Sequence, residues 1–410
     1  MGCLYHLGRR GLEFVTISGE YFEGSVKRKV DMVVCLFMTR GVSLFMWDKI
    51  GIIDREIKIY ERLSRNNIRY VFFTYGDSRD VEIAQRYPWA QVVPLFLKRR
   101  SRRGLWWMNI LSLVTAPWRY GAIFRQCNLF KTNQITGAWL AVLMARLFGK
   151  KVLVRAGYEA LQNSLYCRSH PIRKVMLFVS SFLSYTFSDA VILTSQESRI
   201  FVRNTFGVNP AKIHVISNYV DTDLFMPHES THRKTDRVVF VGRLSGEKNI
   251  SNLIAACGML GLGLDIIGKG SLLELLRNEA SAIGADVIFY GTVSNEELPC
   301  ILNQYDLFVL PSLYEGNPKA LLEAMSCGLA VVGTDVQGIR ENIVHGFSGI
   351  LCMTDVTSIA DAIGELLSDR KLMERIKYNA RRYIERTCSL VGVVERELKC
   401  YKSILGTSNG

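Results

Sequence analysis

The second half of this chain repeats one unit. A short apolar run ends in a glycine or polar turn, and a segment with helical spacing follows. Residues 237–241 run into Gly242 and 243–249, residues 264–267 into Gly268-Lys269-Gly270, residues 287–290 into Gly291, and residues 307–310 into Pro311 and Ser312. Runs this short and continuously apolar suit parallel strands covered by helices on both faces. The pattern predicts an α/β fold with a doubly wound sheet, in which ligands bind at the carboxyl ends of the strands. The first half repeats the unit less cleanly, with apolar runs at 32–38, 70–74, 129–132, 151–155 and 190–194 and helices at roughly 53–65 and 138–148.

At 410 residues, two such domains are expected rather than one. Residues 1–29 carry no convincing element and lack the apolar core of a signal peptide; they read as an unassigned extension, or as the product of an upstream start, since Met32 would open the first domain neatly. The polar stretch 227–236 marks the boundary between a first domain at 30–224 and a second at 225–390. Ten cysteines are scattered singly, as expected of reduced thiols in a cytoplasmic protein.

Charge divides the halves. Residues 1–230 hold 32 Lys and Arg against 17 Asp and Glu, a net +15, while residues 231–410 hold 19 against 21, a net −2. A basic first domain suits an anionic membrane surface or nucleic acid. No zinc-finger, RRM or KH signature is present, so nucleic acid is not expected. The basic run 98–103 leads into Trp106 and Trp107, and a basic run joined to a Trp-rich apolar one resembles an interfacial membrane element, too interrupted by Asn109, Ser112 and Pro117 to cross a bilayer. A buried helix after a solvated loop reads equally well.

The chemistry concentrates in two loops. Between residues 315 and 343, Asn317 reads as an N-cap, Pro318 as the first helical residue and Gly328 as the stop. Glu315 and Glu323 flank that helix start, where the amides of Asn317, Pro318's neighbour Lys319, and Ala320 offer positive potential to a phosphate. Carboxylates accept hydrogen bonds from paired hydroxyls, so a polyhydroxylated phosphate ligand fits. The plain alternative is an exposed Lys319–Glu323 pair contributing about 0.3–0.5 kcal/mol. In the other loop, Arg243 and Lys248 bracket a turn at a strand end, a forked guanidinium and a point-charge ammonium able to hold a diphosphate. Gly51, before a first-domain helix, is a weaker phosphate candidate or simply a turn. Arg155, Tyr158 and Glu159 are the polar candidates on the first-domain side of the cleft.

Gly242-Arg243-Leu244 with Glu247-Lys248-Asn249, the pair Glu315 and Glu323 with Gly316, Pro318, Glu323-Ala324-Met325 and Cys327-Gly328 between and after them, and Asn218 with Asp221-Thr222-Asp223-Leu224-Phe225 together resemble the retaining glycosyltransferases of family 4. The resemblance is close over 190–390 and topological over 30–189. It implies a GT-B fold, two Rossmann-like domains facing across a cleft, with part of 370–404 crossing back to the first domain. It implies a nucleotide-sugar, a UDP- or GDP-sugar, as donor co-substrate in the second domain, with no metal and no further cofactor. A glycan or lipid-linked acceptor would bind the first domain, at the cytoplasmic face of a membrane, in polysaccharide, capsule or lipopolysaccharide assembly. Arg243 and Lys248 would hold the diphosphate, Glu315 and the amides 317–320 the sugar and phosphate, Glu323 the ribose, and the backbone near Gly268 and Tyr290 the base. Two departures stand out. Arg155-Ala156-Gly157-Tyr158 occupies the place where many relatives carry a His, and Leu329-Ala330 replaces a common Leu-Pro. The first keeps open a catalytically silent nucleotide-sugar-binding scaffold; a nucleotide-sugar epimerase on the same fold is a third reading.

Overall fold

The computed structural model describes residues 20–23, 26–96, 106–166, 170–229 and 234–406. The basic run 98–103 and most of the unassigned extension lie outside them. A hairpin of β1 (Glu20–Glu23) and β2 (Val26–Lys29) precedes the first domain. That domain contains β3 (Met32–Phe37), α1 (Leu44–Lys49), α2 (Ile53–Ser64), β4 (Ile68–Thr74), α3 (Ser78–Ala84), β5 (Ala90–Pro94), α4 (Trp106–Gln126), β6 (Leu129–Thr132), α5 (Ala138–Phe148), β7 (Lys151–Ala156), α6 (Ala160–Tyr166), α7 (Pro171–Thr186), β8 (Ala190–Leu193), α8 (Gln196–Phe206) and β9 (Ile213–Val215). The second contains β10 (Arg237–Val241), α9 (Ile250–Leu260), β11 (Gly263–Ile267), α10 (Leu273–Ala282), β12 (Val287–Gly291), α11 (Leu298–Leu302), β13 (Leu307–Leu310), α12 (Lys319–Ser326), β14 (Ala330–Thr334), β15 (Ile350–Cys352), α13 (Val356–Ser368) and α14 (Arg370–Thr387), before the final α15 (Leu390–Leu405).

Each domain holds one all-parallel sheet. The orders are β5-β4-β3-β6-β7-β8-β9 and β12-β11-β10-β13-β14-β15. Strand order reverses between β3 and β6 in the first sheet and between β10 and β13 in the second, and a crevice opens at the carboxyl ends of strands where this happens. The loops after those strands therefore form the two walls of the cleft. This is the two-domain α/β architecture that the resemblance implies.

Burial explains why the strands read as unbroken apolar runs: Leu307, Phe308, Val309 and Leu310 of β13 are all inaccessible. The segment after β9 already packs with the second domain, because Val220 and Phe225 belong to its core. The chain crosses back at residues 387–390, and the two crossings are tied together, Val220 N donating to Cys388 O (2.8 Å) and Leu390 N to Val220 O (2.8 Å). α14 stays on the second domain, whereas α15 lays Leu390, Val393 and Tyr401 into the core of the first.

Candidate functional site

A cavity of about 480 Å³ lies between the domains. On the second-domain wall, the loop after β10 tightens into one 3-10 turn, Gly246–Lys248, which brings Lys248 to the cleft. The Lys248 ammonium pairs with the Glu315 carboxylate, whose Oε1 also accepts from Ser312 Oγ at 2.8 Å. Leu313 N donates to Glu247 O (2.8 Å), fastening the loops after β10 and β13 edge to edge. Ser245 Oγ donates to Glu247 at 2.6 Å. Burial pushes the Glu247 carboxyl up, but Ser245, its own amide, Arg243 and Lys248 together hold it below the usual range. Arg243 is exposed, lines the cavity and pairs with no carboxylate among the described residues. An ammonium carries three N–H groups and Glu315 takes one, so Lys248 keeps donors for a second anion.

Two glycines explain how the loops come so close. A Cβ on Gly268, whose φ is +147°, would sit 1.8 Å from the Gly242 carbonyl oxygen. One on Gly242 would meet the Phe240 ring at 2.8 Å. Both residues therefore permit packing at the strand ends and stand behind the cavity rather than in it.

The helix start differs from expectation by one residue. α12 begins at Lys319 with Pro318 as N-cap. Asn317 does not cap it, because its side chain faces the linker: its Oδ1 accepts from Asn218 N (3.2 Å), its amide nitrogen donates to Ser217 Oγ (3.1 Å), and Asn218 Nδ2 donates to Asn317 O (2.9 Å). Asn317 and Lys319 line the cavity; Pro318 and Ala320 do not.

Lys319 and Glu323 do not form the exposed pair read from their spacing. Lys319 Nζ meets Glu56 Oε1 of α2 at 2.6 Å, across the cleft. Glu323 is only 5% exposed, and Arg55 Nη1, also from α2, approaches it at 3.9 Å. Burial pushes the Glu323 carboxyl up, and Arg55 and Lys319 offset this only in part. Burial also acts to raise Glu56, yet Lys319 and Arg55 outweigh it and hold that carboxyl below its usual range. The proposed ribose ligand and the helix that carries it are thus engaged by first-domain residues that sequence reasoning did not single out.

Three other candidate residues make contacts of their own or do not line the cavity. Gly51 (φ +71°) follows the end of α1, has open space around it and does not line the cavity. Tyr290 does not line the cavity, and on edge strand β12 its hydroxyl donates to Asp265 (3.1 Å) and accepts from Lys234 (2.7 Å), a cluster that also takes in Arg237 at the start of β10; these side-chain contacts leave its backbone, named for the base, untouched. Arg155 lines the cavity but its guanidinium pairs with Glu397, on α15.

Glu397 is the largest surprise of the first-domain wall. It is inaccessible, lies between Arg155 and Lys131 (Nζ to Oε2, 2.5 Å), and accepts from Tyr401 at 2.9 Å. Burial acts to raise its carboxyl, but the two cations hold it low. Beside it, Gly157 N donates to Gln134 Oε1 at 2.7 Å, and a Cβ there would meet Gln134 Nε2 at 2.9 Å, so this corner of the cleft holds an amide where a bulkier side chain would have to displace it. Tyr158 and Glu159 also line the cavity. Gly157 and Gly316 bring the two walls together, a Cβ on Gly316 standing 3.3 Å from the Gly157 carbonyl oxygen. Further contacts close the cleft, with Gln162 Nε2 donating to Gln337 (2.7 Å) and Glu341 capping the start of α8 through the amides of Gln196 (2.7 Å) and Glu197 (2.8 Å).

Two family models match consecutive parts of the chain, one described as Glycosyltransferase Family 4 over residues 57–224 and one as Glycosyl transferases group 1 over residues 223–383. A glycogen synthase of Mycobacterium tuberculosis is 30% identical over 204 residues, 47% of this chain and 49% of that protein, so the chain spans about half the length of that relative. A UDP-Gal:alpha-D-GlcNAc-diphosphoundecaprenol alpha-1,3-galactosyltransferase of Escherichia coli is 27% identical over 295 residues, 66% of this chain and 73% of that protein. The fold is shared with an Anabaena protein solved in complex with UDP-glucose, at TM-score 0.73 and 16% identity, over 91% of this chain and 100% of that one.

Proposed function

The chain belongs to the glycosyltransferase family described as group 1, and from that premise we propose that it transfers a sugar from a nucleoside-diphosphate sugar to a glycan or lipid-linked acceptor, with retention at the anomeric carbon and without a metal. One observation carries this reading: Lys248, paired with Glu315, and the exposed Arg243 converge on the cavity at the strand-order reversal of the second sheet. Two cations there stabilise charge growing on a departing diphosphate. Glu315 has one oxygen shared between Lys248 and Ser312 and another left for sugar hydroxyls.

The carboxylates support the retaining reading. Among the described residues lining the cavity, Glu56, Glu315 and Glu397 each hold a cation, Glu247 accepts from Ser245, and Glu159 accepts from Ser181 and the Gln162 amide. Each is thus engaged, and the oxygen that Glu315 keeps free is assigned to the sugar hydroxyls, so no carboxylate stands out as a nucleophile, which favours front-face substitution over a double displacement. In that step the acceptor oxygen bonds to the anomeric carbon as the bond to the diphosphate breaks. The acceptor's proton passes to a departing phosphate oxygen. The amide pair at Gly157 and Gln134 supplies no base, which suits this route and equally suits a scaffold that binds without turnover.

The basic first half and the lipid-linked acceptor in the name of the Escherichia coli relative support a place at the cytoplasmic face of a membrane, in surface-polysaccharide assembly. The test is incubation with UDP-, GDP- and ADP-sugars, with and without a chelator, following free nucleotide and the anomeric configuration of the product. Release of nucleotide with retained configuration, unaffected by chelator, is expected. Binding without release would establish the scaffold, and isomerised sugar without free nucleotide would establish an epimerase.

A further inference from the structure

The helices α4, α5, α7 and α8 cover one face of the first sheet, and their inner sides fill its core with Phe124, Met144, Tyr185 and Phe206. Their outer sides are apolar too. On α7, Ile172 is 66% exposed, Val175 and Met176 62%, and Val179 49%. α5 packs beside α7 and adds Leu147, 59% exposed; α4 packs beside α5 and adds Trp118, 79% exposed. A helix facing water carries polar residues on its outer stripe, and a patch extending over three neighbouring helices marks an interaction surface.

Charge identifies what it fits. Between Glu82 and Asp189 the sequence has sixteen Lys and Arg and a single carboxylate, Glu159, which is buried. Arg173 and Lys174 open α7 and Arg146 closes α5, so the apolar patch is edged by cations and by no acid from this stretch. A second copy of the chain, docked symmetrically, would set one cationic surface against another. An anionic lipid surface complements both properties at once, taking apolar side chains below its headgroups and cations among them. No helix among the described residues is long and apolar enough to cross a membrane, so the contact is interfacial.

The patch is wired to the cleft. Glu159, on the loop after β7 that lines the cavity, accepts from Ser181 Oγ of α7 (3.1 Å) and from Gln162 N (2.8 Å). We propose that the outer face of α7, with the adjoining faces of α5 and α4, seats in the interfacial layer of an anionic bilayer and thereby sets the cleft segment 157–162, the loop after β7 and the start of α6, against an acceptor held in that membrane. The delivery of an acceptor rests on the transferase reading; the lipid contact does not.

Flotation of the full chain with phosphatidylcholine vesicles, with and without phosphatidylglycerol, tests the contact. The wild type is expected to float only with the anionic vesicles, and less in high salt. The triple variant Val175→Ser, Met176→Ser, Val179→Ser should lose about tenfold of the bound fraction, with its thermal transition and nucleotide release in solution unchanged. Arg173→Gln with Lys174→Gln, which leaves the apolar face alone, should weaken flotation and remove part of its salt dependence. The proposal is overturned if the triple variant floats like the wild type, if neutral vesicles bind equally well, or if the wild type is a lipid-indifferent dimer that the triple variant makes monomeric. Flotation intact without nucleotide release from any sugar nucleotide would sink the transferase reading and leave the lipid contact standing.

Discussion

The two walls of the cleft are built in opposite ways. The second-domain wall comes from short contiguous loops, 242–249 and 312–319, whose key side chains meet one another: Lys248, Glu315 and Ser312. The first-domain wall is assembled from residues far apart in the chain, Glu56 on α2, Lys131 on β6, Arg155 on β7 and Glu397 on the returning α15. A wall made of contiguous loops can be read as a motif. One made of distant residues exists only once the chain has folded back on itself.

The largest effect is expected where the remote wall is most buried. Glu397→Gln would leave Lys131 and Arg155 facing each other without a counter-charge, and removing one partner of a buried ion pair costs about 3–5 kcal/mol. Chemical denaturation should show that loss, and a change within error of zero would mean that α15 does not hold the first-domain wall together. Next comes the contiguous wall. Lys248→Ala should lower turnover by about 10²–10³-fold, as for removal of one group that stabilises transition-state charge, with little change in unfolding midpoint. A stability loss as large as that of Glu397→Gln would erase the distinction between the walls.

The contact between walls should be intermediate. A double-mutant cycle on Glu56→Gln and Lys319→Met should give a coupling of about 0.5–3 kcal/mol, as for residues in direct contact; additivity would show that the pair is not formed in solution. The smallest effect is a pH dependence at Glu323. Its carboxyl is raised by burial, so as pH climbs above the ordinary glutamate value of 4.5 the unfolded chain ionises first and the folded protein loses stability. Glu323→Gln removes that loss. Its stability relative to wild type should therefore grow from pH 4.5 upward and level off above the folded pKa, whereas a difference that is flat with pH would place Glu323 in water.

These contrasts show why the sequence was legible in one place and not in the other. The repeated strand, turn and helix units gave both sheets, and loops 242–249 and 315–319 gave Arg243, Lys248 and Glu315 together. The side-chain partners of Tyr290, Asp265 and Lys234, were not legible because no local pattern reveals the register that sets them together on an edge of the sheet. Asn317 has the chemistry of a cap, but folding spends its side chain on the linker. Glu397 left a faint signal: it interrupts the apolar stripe of Leu390, Val393, Val394 and Tyr401, just as Lys131 interrupts an apolar strand. A charge on a buried stripe requires a partner, but nothing in the sequence says that these two are each other's.

The central claim, that the second-domain wall is a diphosphate-sugar site, is tested most directly by calorimetric titration of UDP, GDP and ADP, their sugar conjugates and the free nucleosides into the wild type and into Arg243→Ala/Lys248→Ala. The account predicts that one nucleotide series binds the wild type and loses at least about tenfold in affinity in the double variant, while the matching nucleoside, without phosphates, binds both equally. Equal affinity of the diphosphates for both proteins would contradict it.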